Sequence, residues 1–310
     1  MKLLKFNIII FILANCWIGM AQQLPQFTQY MYNTISINPA YAGSRETFSA
    51  VGLHRSQWLG LEGGPTTQTL SVHTPLRNDR IGIGLSFIND ELGYENFSYL
   101  YGDFSYTLPV GQKHKLAFGI KGGFTQYSLD QSFLNDPSIA NDDFFKGFAN
   151  RWSPNIGLGV FYHTNKWYLG LSAPRILNTD YNNGSDMLDY EALERISYYF
   201  TGGYVFNLNQ TIKFKPAVLL KATNGAPLSF DITANFLFNE TFWLGASYRI
   251  NEATAALGAI ADFQVTKEIR IGYTYEYPMS ELRAYTSGTH EILLMYELFK
   301  SKRIKSPRYF

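Results

Sequence analysis

From Thr47 onward the chain alternates between apolar and small or polar residues with a period of two, the spacing that sends successive strand side chains to opposite faces. Ile81, Ile83, Leu85 and Phe87 alternate with Gly82, Gly84 and Ser86. Leu116, Phe118 and Ile120 alternate with Lys115, Ala117, Gly119 and Lys121, and Ile269, Ile271, Tyr273 and Tyr275 with Arg270, Gly272, Thr274 and Glu276. Over 229–239, Phe230, Ile232, Ala234, Phe236 and Phe238 form the apolar set against Asp231, Thr233 and Asn235, with Leu237 as the exception. One face is greasy and the other is small, polar or charged.

Such runs, separated by turn signals, predict strands near 47–58, 66–74, 79–88, 97–108, 114–128, 153–164, 166–174, 195–208, 212–223, 227–239, 241–251, 254–266, 268–277 and 288–299. The number is even, fourteen, and most runs have the roughly ten residues that a tilted membrane strand needs. The expected fold is therefore all-β: a transmembrane antiparallel β-barrel of about 14 strands. Bacterial barrels put short turns on one face and longer loops on the other. The connections Pro75–Asn78, Pro109–Lys113, Asn165, Asn209–Thr211, Glu240 and Lys267 are short, and between them fall the longer Asn89–Asn96, Leu129–Trp152, Ala173–Glu194 and Pro278–Ser287. A soluble propeller or sandwich would share the strands, but no blade-length repeat occurs. On this topology Ile232 and Phe236 face lipid, whereas Asp231 and Asn235 face inward, where an Arg is expected to be tolerated.

Composition fits a membrane wall better than a soluble core: 46% hydrophobic and 16% aromatic, with 24 Phe and 22 Tyr, against only 16% charged. Trp58, Trp167, Tyr168, Trp243 and Tyr277 near strand ends suit interfacial girdles. The apolar run Ile8–Ile18 behind Lys2 and Lys5 is of secretory-signal length and too short to span as a helix. Small residues at Gly19 and Ala21 predict cleavage between Ala21 and Gln22, which removes Cys16, the only cysteine, and moves the formal charge from +1 to −1. A lipoprotein processed at Cys16 is the rival reading, disfavoured by the bulk of Asn15. A near-neutral chain argues against a nucleic-acid partner. The expected divisions are a signal peptide over 1–21, a periplasmic or lumenal segment over 22–46, the barrel over 47–299 and a basic periplasmic tail over 300–310, with both termini periplasmic.

Catalytic and cofactor signals are absent from the pattern. His54, His73, His114, His163 and His290 lie in different strands without metal-ligand spacing, and lining a wet lumen explains them more cheaply. Ser and His are too scattered to nominate a hydrolase triad. Asp180, Asn182, Gly184 and Asp186 are spaced somewhat like a calcium loop but lack the closing acid and read as turn formers. No catalytic residue, cofactor or metal is expected. Partner-binding candidates are rings set among charges: Phe144, Phe145, Phe148 and Tyr190 in long, acidic loops, and Phe27, Tyr30 and Tyr41 in the N-terminal segment. That segment has more rings than a disordered linker carries, so packing at the periplasmic mouth or in the lumen is expected.

Pro25-Gln26-Phe27-Thr28-Gln29-Tyr30-Met31 followed by Asn38-Pro39-Ala40-Tyr41-Ala42-Gly43-Ser44 resembles the mature start of the PorP/SprF family of type IX secretion proteins. His54-Arg55-Ser56-Gln57-Trp58 with Gly64-Pro65-Thr66-Thr67-Gln68, Asn89-Asp90-Glu91-Leu92-Gly93, and Gly288-Thr289-His290-Glu291-Ile292 carry the same resemblance. It implies an outer-membrane protein of Bacteroidetes-type bacteria that assists secretion or surface attachment of a partner such as a gliding adhesin. The implied partners are the secreted substrate, type IX components and outer-membrane lipid. Two alternatives stay open: a passive porin with a lumen lined by Lys115, Lys121, Asp231 and Arg270, and an outer-membrane hydrolase.

Overall fold

The structure, a computed structural model, describes residues 25–130, 151–180, 193–251 and 254–298. Fourteen antiparallel strands make one sheet: β1 Phe48–Ser56, β2 Thr66–Pro75, β3 Ile81–Leu92, β4 Glu95–Val110, β5 His114–Leu129, β6 Arg151–His163, β7 Trp167–Ala173, β8 Ser197–Tyr204, β9 Ile212–Thr223, β10 Ser229–Phe238, β11 Phe242–Ile250, β12 Ala256–Gln264, β13 Ile269–Pro278 and β14 Thr289–Leu298. Each pairs with its sequence neighbours, and β1 pairs with β14 from Phe48↔Leu298 to Ser56↔His290, which closes the barrel. Closure removes the sheet edges that would otherwise expose unpaired backbone to lipid. Among the described residues no helix is long and apolar enough to cross a membrane.

Proline explains one break in the wall. The β8–β9 ladder runs from Ser197↔Thr223 to Gly203↔Ala217, skips Tyr204 and Val205 opposite Pro216 and Lys215, and resumes at Phe206↔Phe214. Pro216 has no N–H to donate to that ladder.

The alternation sorts the faces as expected. Leu85, Leu100, Phe118, Ile120, Leu158 and Leu171 stand exposed on the outer wall, an apolar surface far larger than a soluble monomer carries. In β10, Ile232 and Phe236 point out at 40% and 38% exposure, whereas Asp231 and Asn235 point in at 4% and 2%. Ile232→Arg should therefore cost about 2–4 kcal/mol in unfolding from lipid vesicles. Asn235→Arg, expected from the alternation to be tolerated far better, should also destabilise. The lumen is filled there: the Asn235 amide lies 3.6 Å from the Met31 sulfur. Equal stability of wild type and Ile232→Arg would reverse the assignment of faces.

Three expectations need correction. The connection over 89–96 is not a long loop, because β3 and β4 pair up to Leu92↔Glu95 and leave Gly93 and Tyr94 as a tight turn, with Gly93 at φ +58°. Tyr168 and Trp243 are buried inside instead of sitting in an outer girdle, while Tyr277 is exposed on the outside. The histidines do not share a lumen: His73 and His163 are buried, but His54 is exposed beside Ser56 and His290 meets the Tyr273 hydroxyl at 2.6 Å.

Candidate functional site

Inside the barrel lies residues 25–46, a strap of turns and two short 3-10 helices, Thr34–Ser36 and Pro39–Tyr41. Asn38 sets the second helix. Its Oδ1 accepts the Ala40 N–H at 3.0 Å, its Nδ2 donates to the Val160 carbonyl at 3.1 Å, and Pro39 takes the first position, where no N–H is needed. The wall makes room with glycine. A Cβ on Gly119 would stand 2.2 Å from the Ala40 nitrogen, and one on Gly82 2.1 Å from the Ala42 carbonyl oxygen.

In the half of the lumen nearer the long loops, the strap meets buried charge. Arg55 donates to Glu276 at 2.6 Å and to Glu291 at 2.9 Å; Arg249 donates to Asp231 at 2.9 Å and lies 3.4 Å from Glu276. Two cations face three carboxylates, all buried. The strap supplies donors against the excess negative charge. The Gln26 amide donates to Asp231 at 2.6 Å, the backbone N–H groups of Thr28 and Gln29 donate to Glu291 at 3.0 and 2.8 Å, and the Thr28 hydroxyl bonds Glu276. Hydrogen bonds to ionised groups are the stronger class, and a buried carboxylate short of donors is costly.

Lower down, Phe27, Tyr30, Met31, Tyr32 and Ile37 pack into one apolar cluster with Val51, Leu53, Leu219, Leu293 and Met295 of the wall. The Tyr32 hydroxyl donates to Asp262 and accepts from Arg270, each at 3.1 Å. The Gly43 N–H donates to His73 Nδ1 at 3.2 Å, Ser105 donates to the Ala42 carbonyl at 2.6 Å, and Arg45 closes on Glu297 at 2.7 Å at the short-turn end. The strap is held along the full height of the wall.

The sequence model of the type IX secretion system membrane protein PorP/SprF matches residues 19–296. The chain belongs to the PorP/SprF family. No curated protein matches it. Among solved structures, a deletion mutant of TodX, a monoaromatic hydrocarbon channel, is similar over 84% of this chain and 92% of that chain, with 12% identity and a TM-score of 0.52. The outer-membrane protein Omp33 of Acinetobacter baumannii is similar over 82% and 98%, with 9% identity and a TM-score of 0.48. The likeness to TodX concerns the fold alone, and with the family it makes this PorP/SprF protein a bacterial outer-membrane β-barrel.

Three of the stretches that resembled PorP/SprF proteins meet in the lumen, while Asn89–Gly93 runs into the β3–β4 turn. Thr28 and Gln29 of one stretch, Arg55 of another and Glu291 of a third share one hydrogen-bonded cluster, and Asn38 to Gly43 line the short-turn half. Arg55 and Glu291 also face each other across the closing β1–β14 seam. Their inward parity was readable from alternation, but their meeting depends on a pairing between the first and last strands.

Of the partner-binding candidates, Phe27, Tyr30 and Tyr41 lie inside the barrel at 2%, 2% and 1% exposure. They are buried core residues of the strap. Phe144, Phe145, Phe148 and Tyr190, the cleavage pair Ala21 and Gln22, and Asn182, Gly184 and Asp186 lie outside the described residues. The four charges expected to line an open pore are all engaged: Lys115 with Glu46, Lys121 with Asp103 at 2.8 Å, Asp231 with Arg249, and Arg270 with Tyr32 and Gln264. Among the described residues, no three His, Cys, Asp or Glu gather as metal ligands.

Proposed function

We propose that this PorP/SprF protein works as a partner-binding component of type IX secretion, assisting export or surface attachment of a secreted protein such as an adhesin, and performs no catalysis of its own. The observation that carries the reading is the filled lumen. A barrel whose interior is occupied by its own chain, with inward charges paired, acts through its rims and loops. The long, acidic loops with Phe144, Phe145, Phe148 and Tyr190 are the proposed docking surface for the secreted partner.

Two measurements test this. Deletion of the gene should remove a defined protein from the surface or the medium, and a chain shortened over 130–150 should release that protein into the medium while the barrel stays folded. Purified wild-type protein in a planar bilayer should conduct no steady ion current. Steady conductance together with normal secretion in the deletion strain would promote the passive porin.

A further inference from the structure

The strap runs through the barrel in one direction, and this settles where its ends lie relative to the loops. Its first described contacts are with Ser229 and Asp231 at the start of β10, which follows the connection 224–228 on the same face as the long loops. Thr28 and Gln29 then meet Glu276 and Glu291, each two residues from the long-loop end of its strand. Asn33 bonds Thr69 and Ser71 in the middle of β2, Asn38 bonds Val160, and Arg45 reaches Glu297 one residue before the short-turn end of β14. The chain then turns through Thr47 into β1 and climbs again.

An even number of strands returns the wall's own two ends, Phe48 and Leu298, to the same face, where they pair directly. The strap adds one more crossing. We infer that the strap enters the lumen at the long-loop mouth, so that Pro25 lies on the opposite face of the membrane from Leu298. The strap's start and the wall's last strand end therefore lie on separate faces, in place of the shared face expected from strand count alone. The inference rests on the path of the strap and is independent of the proposed role in secretion.

Single cysteines in a Cys16→Ser background test it. Glu62→Cys marks the β1–β2 loop and Gln112→Cys marks the β4–β5 turn, both at exposed positions. Leu24→Cys stands directly ahead of the strap. Intact cells and permeabilised cells are treated with a membrane-impermeant maleimide, and each cysteine is assigned to a face by comparison with the two markers. Leu24→Cys should label with Glu62→Cys, more than tenfold above the background of Gln112→Cys in whichever preparation exposes the loop face alone. Labelling with Gln112→Cys, or no labelling from either face, would overturn the inference. Because the markers belong to the same protein, the result does not depend on which face is outside or on whether secretion fails.

Discussion

Gly119→Leu should abolish the plugged state of this PorP/SprF barrel. A Cβ at Gly119 would lie 2.2 Å from the Ala40 nitrogen, 2.4 Å from the Pro39 carbonyl carbon and 2.5 Å from the Ala40 Cα, all of them backbone atoms that cannot swing aside. Ordinary overpacking costs about 1–3 kcal/mol, because neighbouring side chains absorb part of it. Here the strap itself has to leave its seat, and the bonds from Asn38 to Val160 and from Gly43 to His73 go with it. The expected outcome is either loss of the folded, heat-modifiable band on electrophoresis or a folded barrel with new ion conductance. Gly122→Leu is the control: its Cβ would meet nothing within 4 Å, on the outer face, and it should behave as wild type. A folded, silent and fully stable Gly119→Leu protein would show that the strap does not occupy the lumen in lipid.

The barrel was legible because alternation is local, and the strap was not because its site is assembled from distant strands. Ile232 and Asp231 reveal their faces from their immediate neighbours. Nothing adjacent to Asn38 in sequence indicates that it will bond the Val160 carbonyl. The sequence nonetheless holds a trace of the filled lumen in its breaks of pattern. A water-filled barrel has polar inward positions, yet Leu293 and Met295 interrupt β14 with inward apolar side chains, Leu219 does so in β9, and Leu237 pairs with the inward Trp243 across β10 and β11. Leu219, Leu293 and Met295 were readable as irregularities and are instead places where the wall packs on the strap's apolar side chains, while the Trp243 ring lies against the Lys215 ammonium. Inward glycines carry the same message. At Gly82 and Gly119 the close approach of Ala42 and Ala40 leaves no room for a side chain.

The candidate site divided along the same line. Rings among charges pointed to Phe27, Tyr30 and Tyr41, and the structure makes those rings core. The residues that fasten the strap, Arg55, Glu276, Glu291, Arg249 and Asp231, are single charges scattered over five strands. Only closure of the barrel brings them together.

That cluster yields the second large effect. Arg55→Met should destabilise the folded barrel by about 3–5 kcal/mol, the range seen when one partner is removed from a buried ion pair. Arg55 is 1% exposed and forks between Glu276 and Glu291, so its loss leaves one cation, Arg249, against three carboxylates. The strap's N–H groups still bond Glu291, but neutral donors do not replace a guanidinium. Arg55→Lys should recover only part of the loss, because a single ammonium cannot reach two carboxylates with the planar fork that arginine uses. Arg55→Met combined with Glu291→Gln should be more stable than Arg55→Met alone. The second change removes the stranded charge and keeps an amide oxygen to accept one of the two strap N–H groups. Urea unfolding from lipid vesicles, followed by tryptophan fluorescence, measures all three variants against wild type. A loss below about 1 kcal/mol for Arg55→Met, the scale of an exposed pair, or a double variant no better than the single one, would mean that the carboxylates are hydrated and that the strap is not fastened by charge.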